Sequence, residues 1–145
     1  MNTESATFQT SRTIAATHER VYAAFASPVQ LAAWWGPNGF SNEFEAFEFK
    51  PGGRWKFVMV GPDGARYENE NIFVKLLPGV QVVIEHVCEP HFTLTVDLAA
   101  QDDGKATLLT WTQALDDATL ATAIRHIVVP ANEQNLDRLS AVLNS

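Results

Sequence analysis

Apolar residues in this chain follow two rhythms, helical at both ends and alternating in between. Phe8 to Ala15 is short and β-compatible. Thr17 then suits a helix N-cap, with Glu19 in the first turn, where the helix dipole favours a carboxylate. Val21 and Phe25 are four apart and share one helical face. Ser27 suits a second N-cap, and Pro28 suits the first helical position, where a missing N–H costs nothing. Leu31 and Trp35 face inward on this second short helix, which Gly36-Pro37 ends.

From Phe40 to Thr112 the rhythm is that of strands. Phe40 to Phe49 reads as a strand, although Phe44, Phe47 and Phe49 break strict alternation; a bulge near Ala46 repairs the phase. Pro51-Gly52-Gly53 is a turn. Trp55, Phe57 and Met59 alternate with Arg54, Lys56 and Val58, as in a half-buried strand. Gly61-Pro62-Asp63-Gly64 is a hairpin turn, and Arg66 to Leu77 is a long strand closed by Pro78-Gly79. Val82, Ile84 and His86 share one face of the next strand. Phe92, Leu94, Val96 and Leu98 share one face of another. Asp102-Asp103-Gly104 is a further turn, and Leu109 and Trp111 mark the last strand.

Helical spacing then returns. Asp116 or Asp117 can cap, and Leu120, Ile124, Ile127 and Val128 form a stripe that Leu136, Leu139 and Val142 or Leu143 continue. Pro130 lies between the halves and is expected to kink or divide the helix. The predicted order is one strand, two short helices, six antiparallel strands and a long C-terminal helix. This is an α+β arrangement: a curved antiparallel sheet of about seven strands with the long helix on one face. Sheets curved around a helix commonly leave a pocket, the usual place for a small ligand.

Composition narrows the function. The 145 residues are 46% hydrophobic and 19% charged, so the chain is globular and reads as one domain over 1–145. A net charge of −7 and a pI near 4.9 argue against nucleic acid and anionic membrane surfaces as partners. No apolar run approaches a membrane span, and the polar segment Met1 to Thr10 does not read as a signal peptide. The one cysteine, Cys88, fits a reducing compartment, so a cytoplasmic location is expected.

Several segments then carry a resemblance. Val21-Tyr22-Ala23-Ala24-Phe25 is followed by Ser27-Pro28, Leu31 and Trp34-Trp35-Gly36-Pro37. Next come Phe47-Glu48-Phe49-Lys50-Pro51-Gly52-Gly53-Arg54-Trp55, Gly61-Pro62-Asp63-Gly64 and Thr107-Leu108-Leu109-Thr110-Trp111. Glu133-Gln134-Asn135-Leu136-Asp137-Arg138-Leu139 closes the set. Together they resemble the SRPBCC (START/Bet v 1-like, helix-grip) superfamily, in the branch similar to the C-terminal domain of the Hsp90 ATPase activator Aha1. The resemblance covers about the whole chain and implies the helix-grip fold. It implies no particular reaction, since the superfamily includes carriers, polyketide cyclases and toxin-sequestering proteins. Motifs of this kind report fold more than chemistry.

Candidate chemistry gathers at two places. In Glu85-His86-Val87-Cys88-Glu89-Pro90-His91, His86 and Cys88 share a strand face, and His91 could fold back to complete a zinc site. No standard ligand spacing is present, so neither a metal nor a cofactor is assigned. His86 follows Val82 and Ile84 on the inner face, where it could serve a ligand or act as a base; the bland alternative is an idle histidine at the pocket rim. The second place is Tyr67 to Phe73, unusually polar for a strand. Either Asn69 and Asn71 face inward, or Glu68 and Glu70 do. If the glutamates face outward, pairing with Arg54 and Lys56 is the simple explanation. Asn132-Glu133-Gln134-Asn135 interrupts the last helix's apolar stripe, either as a solvated face or facing the cavity. His126 and His18 read as surface residues.

These features favour a binder of a small hydrophobic or amphipathic molecule. Its cavity is expected to be lined by Trp35, Phe57, Met59, Ile84, Phe92 and Trp111, with Asn69, Asn71 and His86 as polar groups. The alternative is a cavity acid/base enzyme resembling polyketide cyclases or dehydratases, using His86 with Glu70 or Asn71. A chaperone-associated interaction role has less support. A homodimer is compatible with the edge strands, but nothing selects it.

Overall fold

The computed structural model describes residues 6–144; the first five residues of the polar N-terminal segment lie outside it. Chain order is β1 (Thr7–Ile14), α1 (His18–Ala26), α2 (Pro28–Trp34), β2 (Ser41–Phe47), β3 (Arg54–Val60), β4 (Arg66–Leu77), β5 (Gln81–His86), β6 (Phe92–Gln101), β7 (Ala106–Leu115) and α3 (Ala118–Leu143). The strands form one antiparallel sheet in the order β1-β7-β6-β5-β4-β3-β2, so the first strand pairs with the last. Among the described residues, no helix is long and apolar enough to cross a membrane.

The helix starts follow the expected capping chemistry. Thr17, Ser27 and Asp117 each accept a backbone N–H with the side chain, and Pro28 opens α2. Two bulges set the strand phases. One lies between Phe44 and Ala46 and turns Phe47 back toward the core, as expected. The other, between Phe73 and Lys75, offsets the end of β4 against β5. Before that bulge Asn69, Asn71 and Phe73 point inward. Outside, Glu70 meets Arg54 at 3.1 Å, Glu45 meets Lys56 at 3.6 Å and Glu43 meets Arg66 at 2.8 Å. Cross-strand pairing therefore accounts for Glu70, while Lys56 takes its partner from β2.

The Pro51-Gly52-Gly53 turn docks against β4. The amide of Gly52 donates to the Phe73 carbonyl, and the amide of Phe73 donates to that of Gly53. A Cβ at Gly53 would stand 2.0 Å from the Glu48 carbonyl oxygen, so glycine is required there.

The core has two parts. The larger joins α1, α2, the middle of the sheet and the end of α3, around Phe25, Trp34, Trp55 and Phe73, with Leu136, Leu139 and Leu143 contributed by α3. The smaller packs Phe8, Leu115 and Ala121 beneath the start of α3. One expectation for α3 is narrowed and one is corrected. Of the two outcomes expected at Pro130, a kink or a division, division does not occur: the helix runs through it. His126, whose carbonyl loses its donor to that proline, is exposed, so water can serve the acceptor. Ile127 does not join the apolar stripe and is 59% exposed, because α3 turns Ala118, Leu120, Ala121, Ile124 and Val128 toward the smaller core.

Candidate functional site

Between the concave face of the sheet and the middle of α3 lies a cavity of about 250 Å³. It is open here for a reason visible in the helix sequence. Toward its end α3 fills the core with Leu136, Leu139 and Leu143, whereas over the cavity it presents Ala131, Asn132 and Asn135. Small and polar side chains do not fill the space above the strands, although Asn132 reaches Gln113 of β7 at 3.1 Å. The expectation that residues 132–135 are a solvated face is thereby corrected: Asn132 and Asn135 face the cavity, Glu133 pairs with Arg12 at 2.9 Å, and Gln134 accepts the amide of Asn38.

The apolar walls come from Trp35, Phe57, Met59, Phe92, Leu94 and Trp111. Trp35 connects the set: its ring lies 4.9 Å from that of Trp55 and 5.9 Å from that of Trp111. Ile84, also expected in the lining, is buried in the main core instead and does not border the cavity, because its neighbours Leu94 and Phe73 stand around it.

Polar groups gather on β4 and β5. Asn71 and His86 are register partners, so their side chains stand side by side on the inner face. His86 is 6% exposed and neither idle nor at the surface. Its ring stacks on Phe92 at 4.6 Å. Nδ1 lies 2.7 Å from the Pro90 carbonyl, an acceptor only, so Nδ1 carries the hydrogen. Nε2 lies 2.8 Å from Asn69 Oδ1 and 3.3 Å from Cys88 Sγ. Burial lowers the imidazole pKa, with the charge of His91 acting in the same direction and the Pro90 carbonyl opposing. The ring is therefore neutral near pH 7 and Nε2 is an acceptor. Cys88 can donate its S–H to it, while the Asn69 amide is oriented by the bond from its Nδ2 to the Tyr67 carbonyl at 3.0 Å.

The three candidate zinc ligands do not assemble. His91 turns away and sits 2.6 Å from Glu85 and 2.5 Å from Asp116, and these carboxylates raise its pKa, Glu85 foremost. Among the described residues, no group of three or more His, Cys, Asp or Glu side chains is arranged to hold a metal. Glu70, weighed as a catalytic carboxylate, lies outside with Arg54.

The rim of the cavity is the segment from Trp34 to Phe40, and α3 holds it through Asn135, one of the polar residues weighed as facing the cavity, and Arg138, for which the sequence suggested no role. Asn135 accepts the amide of Gly36 at 3.2 Å and donates to the Trp34 carbonyl at 2.9 Å. Arg138 donates to the carbonyls of Ala33, Trp35, Gly36, Pro37 and Phe40 at 2.8–3.1 Å. The signal was present: Asn135 and Arg138 are three apart, flanking the inward Leu136 and Leu139, and Gly36-Pro37 is a segment whose carbonyls need donors. Gly36 itself has φ +96°, a backbone conformation that favours glycine.

Comparison with known proteins agrees with this architecture. No functionally curated protein matches the chain. The solution structure of a protein from Arthrobacter aurescens is similar, with a TM-score of 0.88 at 22% identity over 99% of this chain and 89% of that one. A crystal structure from Nitrosomonas europaea gives 0.87 at 17% identity, covering 97% and 95%. The AHSA1 protein from Silicibacter pomeroyi gives 0.73 at 20% identity, covering 96% and 98%. At these identities the likeness is one of fold. The family model described as "Activator of Hsp90 ATPase homolog 1-like protein" matches residues 15–144. The chain therefore belongs to the Activator of Hsp90 ATPase homolog 1-like family, with the helix-grip fold.

Proposed function

We propose that this protein binds a small hydrophobic or amphipathic molecule in the cavity between its sheet and α3. The observation that carries the reading is the interruption of α3 at Ala131, Asn132 and Asn135. It leaves about 250 Å³ beneath an otherwise well-filled helix, walled by aromatic rings. Leucines at those positions would close the space and add stability. Native mass spectrometry of the purified protein, beside a denatured control, tests the proposal. A co-purifying mass lost on denaturation is expected, and it should also be lost from Ala131→Trp, whose ring would fill the space. A bound mass that survives this plug would place the ligand elsewhere and refute the reading.

A second reading, an acid/base enzyme, draws on the neighbouring Asn71 and His86 on one cavity wall. It expects His86→Gln to keep ligand binding and lose turnover. Unchanged turnover in that variant would remove it.

A further inference from the structure

Most polar groups around the cavity already have partners. Asn135 bridges Trp34 and Gly36, Asn132 donates to Gln113, and His86 is held by Pro90 and Cys88. Two do not. Asn71 is 1% exposed and its Oδ1 meets no donor; Trp111 is 3% exposed and its Nε1–H meets no acceptor. Both residues border the cavity. A buried polar atom without a partner costs about 1–3 kcal/mol. Two of them on the wall of one cavity are therefore groups waiting for a ligand. Trp55 Nε1 is also unpaired, but Trp55 does not border the space.

The chemistry of these two groups specifies their complement. An indole N–H only donates, so the ligand must offer an acceptor oxygen. A carboxamide can present either end, and a hydroxyl can serve both, donating to Oδ1 or accepting from Nδ2. Among the described residues that line the cavity there is no Lys, Arg, Asp or Glu, and burial keeps His86 neutral. A charged ligand would lose its hydration with no counter-ion in return. Size is the remaining limit. The cavity exceeds the roughly 150 Å³ that accommodates benzene and falls short of the roughly 300–1,000 Å³ typical of drug-sized ligands. A fused pair of six-membered rings fits that interval.

Resting on the cavity-binding reading above, we infer that the ligand is an uncharged mono- or bicyclic compound bearing a carbonyl or similar acceptor oxygen and a hydroxyl. Trp111 donates to the acceptor oxygen, and the Asn71 amide pairs with the hydroxyl. The rings of Phe57, Phe92 and Trp35 take the hydrocarbon faces.

The test is a calorimetric titration of the purified protein with four probes of one ring size: tetralin, α-tetralone, a set of hydroxy-α-tetralones and naphthoate. The ketone should bind roughly tenfold tighter than tetralin, and the best hydroxyketone roughly tenfold tighter again. Naphthoate should bind no better than tetralin. Trp111→Phe should bring α-tetralone to the tetralin level, and Asn71→Leu should erase only the hydroxyl's advantage. The ligand series on the unaltered protein stands alone if either variant folds poorly. Equal affinity for tetralin and the ketone, or naphthoate as the tightest probe, overturns the assignment of ligand class and leaves cavity binding intact. Failure of all four to bind overturns both.

Discussion

Replacing Arg138 by methionine is the sharpest test of how α3 governs the site. The guanidinium is partly buried, which lowers its pKa from the usual arginine value while leaving it charged. Its five carbonyl contacts are not equal. The one to Ala33 is exposed. The Trp35 carbonyl keeps Asn42 Nδ2 at 2.9 Å, and the Pro37 carbonyl keeps the Phe40 amide at 3.2 Å. The carbonyls of Gly36 and Phe40 depend on Arg138 alone among the described hydrogen bonds. Hydrogen bonds from a charged donor contribute about 1.5–3 kcal/mol each, and less where water competes. Two dependent acceptors and two shared ones, all near the surface, put the loss at about 3 kcal/mol. A chain of this size loses about 3–4 °C per kcal/mol, so the Tm should fall by about 10 °C, which scanning calorimetry reads directly. Lysine should recover less than half of the loss, since an ammonium cannot span the fork. If Arg138→Met melts within about 2 °C of the parent, water is serving these carbonyls and the clamp is not what holds the rim.

Other expectations follow from the same structure. Gly53→Ala should cost about 3 kcal/mol or more by urea denaturation, because the new Cβ meets the Glu48 carbonyl at 2.0 Å. Gly36→Ala should cost less, about 1–2 kcal/mol, because its Cβ meets the flexible end of Met59 and the main penalty is the positive φ. His86 and His91 should act on stability in opposite directions with pH. His91 has a raised pKa, so its contribution is complete below about 6.5 and is lost as pH rises through the higher folded value. The Tm gap between parent and His91→Gln should therefore be widest below about pH 6.5 and narrow as pH rises above it, at about 0–1 kcal/mol for so exposed a pair. His86 has a lowered pKa, so its contribution is present above the ordinary value and lost as pH falls through the folded one. A Tm gap between parent and His86→Gln that widened on acidification would contradict its burial as a neutral ring.

Much of the fold is legible because it is local. Thr17, Ser27 and Asp117 cap through their own side chains, and the turns at Pro51-Gly52-Gly53 and Gly61-Pro62-Asp63-Gly64 close with bonds between nearby residues, Gly53 to Lys50 and Gly64 to Gly61. The bulge near Ala46 could be read because three phenylalanines fell out of phase. The polar strand β4 was harder. Its two faces carry similar numbers of polar groups, and only the Arg54–Glu70 pairing across the ladder decides between them. Ile127 misled because helical spacing identifies a stripe without saying where the sheet beneath it stops. Arg138 was overlooked because its partners are backbone carbonyls, which leave no mark in the sequence. Pro130 was expected to kink or divide the helix, and that it does not divide it depends on water reaching one carbonyl.

The pairing of β1 with β7 has a consequence for how the chain is made. Strands β2 to β7 form successive hairpins, each able to close soon after it leaves the ribosome. β1 is synthesised first but finds its partner last, with Thr7 opposite Ala114. Until β7 emerges, β1 has no strand to pair with, and Leu109 and Trp111 are missing from the main core. Contacts of such long sequence separation are slow to form, and exposed apolar surface invites aggregation in the interval. A nascent chain arrested before Ala106 should therefore be protease-sensitive at β1, and protection there should arrive in one step when β7 and α3 clear the exit tunnel.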